Sequence, residues 1–412
     1  MASVPGYFYA TRGDTIYVNL FARGSADIST PAGSVKLAQE TRYPWDGAIT
    51  LTLTPDKSRR FALNIRVPGW ARNQPVPTDL YRFLDTVPDG PLLRVNGQTV
   101  RPELDKGYVT VDRTWKPGDV VEFTLPMPVR RVVAHANVEA DRDRVALQRG
   151  PIVYAAEWPD NPGGKVRNLV LPDGNRLTSE FRGDLLNGVQ VVKGQAFGLS
   201  LDEKGSVVKK EQPLVLIPYA TWANRGRGEM AVWLARSEAA ARPAPYPTLA
   251  MASKITSSRE NGQGWLQSIV EGDEPRNSRS GGSMFNWWPL QGWGPNCEAN
   301  RAANSAAPQQ RRPQCSKGEW IEMTFAKPSN VSEAEIYWFD DQPGGGVRVP
   351  ASWKLLYKDG DEWKPVETAD SFGVAKDAWN RIAFKPVTTS ALRLEVVLQP
   401  GVSAGLQEWR VK

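Results

Sequence analysis

One histidine, His135, occurs in 412 residues. A Ser-His-Asp triad must therefore use His135 or not exist, and a metal site built mainly of histidines is ruled out. Cysteine is nearly as scarce: Cys297 and Cys315 are the two present. With one distant histidine, they have no spacing suited to a structural zinc site. No run approaches the roughly 18 apolar residues of a membrane-crossing helix, so no membrane partner is expected. A basic-then-apolar leader pattern is also missing at the start. Lys and Arg are scattered rather than clustered. The net charge of +6 is thus weak ground for nucleic-acid binding, and no nucleic-acid partner is expected.

Turn-formers and tryptophan are plentiful. Gly 36 and Pro 33 suit a turn-rich β protein, and 16 tryptophans exceed ordinary usage. Length alone suggests two to four domains. The hydrophobic pattern repeats every second residue: Ile49, Leu51 and Leu53, then Phe61, Leu63, Ile65 and Val67, then Val121, Phe123 and Leu125. Each run has one apolar and one polar face, as half-buried antiparallel strands require. Pro44-Trp45-Asp46-Gly47, Val95-Asn96-Gly97 and Lys116-Pro117-Gly118-Asp119 supply turns between them. Pro75 to Pro91 reads as a loop insertion. Alternation returns at Ile321, Met323 and Phe325 and at Leu392, Leu394, Val396 and Leu398. The expected fold class is all-β, with tandem antiparallel β-sandwiches and the tail of a helix at the N-terminus.

Several tracts carry a resemblance when read in order. Pro5-Gly6-Tyr7-Phe8-Tyr9, Glu40-Thr41-Arg42-Tyr43-Pro44-Trp45-Asp46-Gly47, Arg66-Val67-Pro68-Gly69-Trp70-Ala71, Leu125-Pro126-Met127-Pro128-Val129-Arg130 and Arg149-Gly150-Pro151-Ile152-Val153-Tyr154 together resemble the C-terminal β-sandwiches of glycoside hydrolase family 127, the β-L-arabinofuranosidases. A second set is Phe285-Asn286-Trp287-Trp288-Pro289, Glu319-Trp320-Ile321-Glu322, Tyr337-Trp338-Phe339-Asp340-Asp341, Arg348-Val349-Pro350-Ala351-Ser352-Trp353 and Asp359-Gly360-Asp361-Glu362-Trp363. It resembles a discoidin-type (coagulation factor type C) jelly roll. The resemblances imply a barrel remnant over 1–15, a first sandwich over 16–158, a second over 159–236, a linker over 237–249 and a jelly roll over 250–412.

In the family, a zinc-bound cysteine thiolate attacks the anomeric carbon and a glutamate serves as acid/base. The family's neighbouring cysteine pair has no counterpart here, so no catalytic residue carries over. The implied reading is the non-catalytic back half of a retaining β-L-arabinofuranosidase acting on plant-type glycans. Zinc is then expected only in the N-terminal helical barrel of the parent. That barrel is itself an expected partner, with Glu40, Tyr43 and Trp45 as residues that could face it. The alternative is a stand-alone carbohydrate-binding or adhesion protein. A hydrolase with a different active site on β-loops is a third reading. The acidic pairs Asp141/Asp143 and Asp340/Asp341 read as solvated surface.

Other sites follow from residue chemistry. Trp293, Asp340, Asp341 and Arg348 are candidates to hold a glycan or oligosaccharide, the indole by stacking and the charged groups by bonding hydroxyls. Alternatively, Arg348 pairs with one of the acids and fixes the loop. Asp273, within Glu271-Gly272-Asp273-Glu274-Pro275, offers oxygen ligands for a structural calcium, or is a solvated acidic turn. A Cys297–Cys315 disulfide would contribute about 3 kcal/mol and argue for a periplasmic or extracellular parent.

Overall fold

The computed structural model describes residues 3–87, 90–101, 103–258, 263–264, 266–279, 284–287, 319–399 and 402–412. Trp293, Cys297 and Cys315 lie outside the described residues. Two compact units follow one another along the chain, Met1–Ala244 and Pro245–Lys412. Strands dominate both. Among the described residues, every helical element is a 3-10 turn of three to five residues.

The first unit opens with a sandwich. One sheet runs Tyr9–Arg12, Thr15–Val18, Arg59–Arg66, Tyr108–Trp115 and Leu104–Asp105. The other runs Gly24–Thr30, Gly33–Thr41, Ala48–Pro55, Asp119–Thr124, Leu92–Val95 and Gln98–Val100. The period-two runs fill the space between them. Ile49, Leu51, Leu53 and Phe123 from one sheet meet Phe61, Leu63, Ile65 and Trp115 from the other. Burying each such side chain is worth about 1.5–3 kcal/mol, which is why one strand face stays apolar. The Trp115 indole N–H is satisfied by the Phe61 carbonyl at 3.0 Å.

Two expectations for this region are corrected. The helical tail amounts to the turn Val4–Tyr7, and Tyr9–Arg12 is already a strand paired with Thr15–Val18. The first sandwich also ends near Leu125, not at 158. The Arg144–Arg149 and Ile152–Glu157 strands belong to the next sheet.

That next sheet closes on itself. Arg144–Arg149 pairs with Ile152–Glu157, which pairs with Val207–Pro218, then Val189–Leu201, Leu169–Val170 and Leu234–Ala235. The last returns to Arg144–Arg149. Closure leaves no free edge in the ring. Its interior holds Val145, Leu147, Tyr154, Leu169, Leu214 and Leu216.

The Pro75–Pro91 excursion is not a simple loop. Its strand Tyr81–Phe83 crosses to pair with Val129–Ala134, and the Arg130 guanidinium lies 3.5 Å over the Phe83 ring. The Tyr43–Gly47 turn also bridges the two halves. Trp45 packs on Val189, Val191 and Ile217, and its carbonyl accepts from Arg149 at 2.9 Å. Glu40 is exposed and paired with Arg23 at 3.0 Å.

The expected linker is half structured. Ala244 bonds to Leu199 and Leu201, so 237–244 folds onto the first unit. In the second unit two long bent strands, Glu319–Phe339 and Trp379–Val397, pair along most of their length with register shifts between Thr324 and Ser329 and between Val331 and Glu333. Ser403–Val411 joins the C-terminal end of the first. Trp287, Trp338 and Trp409 fill the core beside Ile321, Met323, Leu392 and Leu394. Trp353 is buried, with its indole N–H 2.7 Å from the Gly373 carbonyl. Arg393 lies 4.8 Å over Trp320 and 4.1 Å over Trp363, so these three tryptophans are structural.

Candidate functional site

The Phe339–Arg348 segment of the second unit brings Asp340, Asp341 and Arg348 together, but with unequal roles. Asp340 is buried, contrary to the reading of this pair as solvated surface. Its carboxylate accepts from the Gln342 N–H and from Lys376, each at 3.0 Å. Burial pushes its pKa up. The bonds from Gln342 and Lys376 outweigh that, and the group sits below the ordinary carboxylate value. Asp341 caps the bend, since one carboxylate oxygen accepts from the Val347 N–H and from Arg348 Nη1, each at 3.0 Å.

Arg348 thus fixes the loop, as the alternative reading had it. Nη1 also reaches the Val347 carbonyl at 2.7 Å. Both bonds use Nη1, so the Nη2 and Nε edge of a partly exposed guanidinium is not spent on the bend. Gly345 makes the turn possible: a Cβ there would lie 1.8 Å from the outer oxygen of Asp341.

The turn holding Asp273 covers a buried carboxyl. Gly272 N–H donates to Glu408 Oε1 at 2.8 Å, and Arg410 donates to the Asp273 carbonyl at 3.0 Å. Glu408 is almost fully buried, and its Oε2 has no hydrogen-bond partner. Burial pushes its pKa up to about 9, while the Gly272 N–H and Arg410 pull the other way. The orphaned Oε2 is an oxygen of the kind a hard cation takes, while the Asp273 carbonyl of the turn is occupied by Arg410.

In the first unit the fold gathers charges that are far apart in sequence. Glu157 and Asp160 both grip Arg225. Asp160 takes it through two oxygens at 2.8 and 2.5 Å, and Glu157 through a close contact to Nη2. The other Glu157 oxygen accepts from the Ala223 N–H at 2.9 Å. Glu157 is buried and Asp160 nearly so. A carboxylate pair that works on a glycosidic bond needs one free acid and one free base or nucleophile. Here both carboxylates are committed to one guanidinium. His135 is exposed and its Nδ1 accepts from the Asn137 N–H at 3.2 Å, so it is part of a local turn. Among the described residues, no group of three or more His, Cys, Asp or Glu is placed to hold a metal.

Sequence reading missed Arg225, Glu157 and Glu408. Arg225 and Glu157 are 68 positions apart, and no local pattern links them. A charged residue ending an apolar strand at Glu157, and another within a strand at Glu408, was the available signal, since buried charge is rare unless paired.

Comparison with known proteins adds the following. Residues 15–127 match the family described as β-L-arabinofuranosidase, GH127 middle domain, and residues 129–235 match the glycoside hydrolase family 127 C-terminal domain. A non-reducing end β-L-arabinofuranosidase of Bifidobacterium longum subsp. longum is 34% identical over 257 residues, 57% of this chain and 35% of that protein. A solved GH127 β-arabinofuranosidase is similar with TM-score 0.57 and 41% identity, covering 60% of this chain and 38% of the other. A GH127 β-L-arabinofuranosidase from Geobacillus stearothermophilus T6 gives TM-score 0.50 and 36% identity, over 57% and 35%. The chain therefore spans little more than a third of the length of these relatives.

Proposed function

This chain is a glycoside hydrolase family 127 protein through residues 15–235, and from that premise we propose that it supplies the non-catalytic β-domains of a β-L-arabinofuranosidase-type enzyme. The observation that carries the reading is the Glu157–Arg225–Asp160 cluster. Glu157 and Asp160, which the fold of these domains brings together, are both paired to one guanidinium. The zinc-thiolate chemistry implied by the resemblance is assigned to none of these residues. The sandwich and the closed sheet act as a scaffold, and plant-type glycans outside the cytoplasm are the substrates of the whole enzyme.

The second unit, read as a discoidin-like module, contributes a glycan contact. Arg348 offers its free edge there, held by Asp341. We assign a calcium to the turn at Asp273, where the Asp273 carboxyl and Glu408 Oε2 would supply oxygens of the right kind. Its role there is structural.

The test is hydrolysis of 4-nitrophenyl β-L-arabinofuranoside by the purified chain. No release of nitrophenol above buffer is expected, with or without added zinc. Turnover that survives Glu157→Gln and Asp160→Asn would mean that another site in these β-domains is catalytic.

A further inference from the structure

The first unit also displays a feature that neither the scaffold role nor the Arg348 loop uses. The rings of Tyr219 and Trp222 meet on the turn that follows the Val207–Pro218 strand. Their ring centroids are 6.1 Å apart and their planes meet at a shallow 29°. Both are exposed, Tyr219 by 45% and Trp222 by 38%. Most tryptophans are well buried, so this one needs a reason.

The turn beneath the rings is braced from several directions. Thr221 Oγ1 donates to the Pro218 carbonyl at 2.8 Å, and the Asn224 amide donates to the Thr221 carbonyl at 3.0 Å. Ala223 has φ of 65°, a left-handed conformation that costs an alanine about 1–2 kcal/mol. Its N–H is held there by buried Glu157 at 2.9 Å. Arg225, two residues on, is locked between Glu157 and Asp160. Gly228 lies flat on Trp158, where a Cβ would come within 2.2 Å of the indole. Strain of this kind persists where surrounding structure imposes it, and it clusters at binding sites. The buried charge cluster thus fixes the position of two exposed rings.

We propose that Tyr219 and Trp222 form a stacking platform for an uncharged sugar of a plant-type polysaccharide. The C–H face of a furanose or pyranose packs on an aromatic face, and two rings at a shallow angle suit one or two sugar units. Ala220 and Ala223 are small neighbours that leave the rings open, while exposed Asn224 lies beside them. A stable protein partner would need roughly 800 Å² from this side, more than two partly exposed rings present. The proposal rests on the reading of this protein as glycan-acting, and it concerns a site separate from the Arg348 loop.

The experiment is native affinity electrophoresis of the whole chain in gels containing sugar-beet arabinan, wheat arabinoxylan or larch arabinogalactan. Wild type, Trp222→Ala, Tyr219→Ala and Arg348→Ala are compared, with thermal unfolding to confirm that each variant is folded. Retardation by at least one polysaccharide is expected, weakened about 5- to 10-fold by Trp222→Ala and less by Tyr219→Ala. If Trp222→Ala unfolds the turn, Trp222→Phe provides the second variant. It should retain most of the binding and lose the ligand-induced change in indole fluorescence. Retardation abolished by Arg348→Ala but untouched by both platform variants would overturn the platform and leave the second-unit reading standing. No retardation of the wild type by any of the three polymers would overturn both. An oligomer that Trp222→Ala dissociates in size-exclusion chromatography would make the rings a protein contact and overturn the proposal.

Discussion

Removing the cation at position 225 should unbalance the first unit more than any surface change. Arg225 is the only described cation bonded to both Glu157 and Asp160, and its side chain is only 20% exposed. In Arg225→Met two carboxylates remain, one of them buried, with no positive partner. Breaking a buried ion pair from one side costs about 3–5 kcal/mol. The partial exposure of Arg225 places the expectation at the lower end, about 3 kcal/mol. For a unit of this size, that corresponds to a fall in melting temperature of about 6–12 °C. Scanning calorimetry is the assay, because it follows the two units as separate transitions where they unfold independently. The transition of the first unit should move alone. Glu157→Gln/Asp160→Asn/Arg225→Met removes every charge while leaving an acceptor for the Ala223 N–H. It should recover at least half of the loss, since the penalty lies in the stranded charges rather than in the missing bonds. If Arg225→Met costs less than about 0.5 kcal/mol, the range of an ordinary surface substitution, the cluster does not brace the turn. If the triple variant is as unstable as the single one, the argument from stranded charge is wrong.

Glu229 gives a pH signature. It accepts from the Val166 N–H at 2.8 Å and the Arg167 N–H at 3.1 Å, and lies 3.3 Å from Lys165. Burial raises its pKa, but these partners hold it below the ordinary glutamate value. Its contribution is therefore complete above its unfolded pKa and is lost as pH falls through the folded one. Wild type should exceed Glu229→Gln by about 1–3 kcal/mol at pH 7, with the gap closing below about pH 4; a gap constant with pH would refute this. Millimolar calcium should raise the melting temperature of the second unit, and Glu408→Gln should abolish that response. A rise equal in both proteins would move the ion elsewhere. Gly345→Ala should displace the Asp341 carboxylate and release Arg348, weakening polysaccharide retardation to the level of Arg348→Ala. Unchanged retardation would separate Arg348 from binding.

Much of the strand architecture was legible because alternation reports burial directly. Ile49, Leu51 and Leu53, like Ile321 and Met323, show the same face in the sequence as in the fold. Pairing was harder to read. The first sandwich was expected to run to residue 158 because the Arg149–Tyr154 tract, by its resemblance to the family, reads as its close. Alternation marks a strand but does not say which sheet it joins. Tyr81–Phe83 was hidden for a related reason, since three residues between prolines are too few to establish a period. The candidate site was partly legible. The Asp341–Arg348 pair lies within one loop, and short range makes such contacts readable. Glu157 with Arg225, and Glu408 with the Gly272 turn, meet only after the long strands between them have paired.

The crossing of Tyr81–Phe83 bears on how these domains can be inherited and exchanged. The two family segments meet at residue 128, and by sequence they look like separable modules. The strand that borders Val129–Ala134 is nevertheless encoded inside the first of them. A recombination event at residue 128 would leave that strand without its neighbour and give the following sheet an open margin able to recruit a foreign chain. During synthesis the same strand must wait, unpaired, until Val129–Ala134 has emerged. The second sheet therefore cannot be completed without a strand from the first segment, and the pair should be gained or lost in evolution as a single unit.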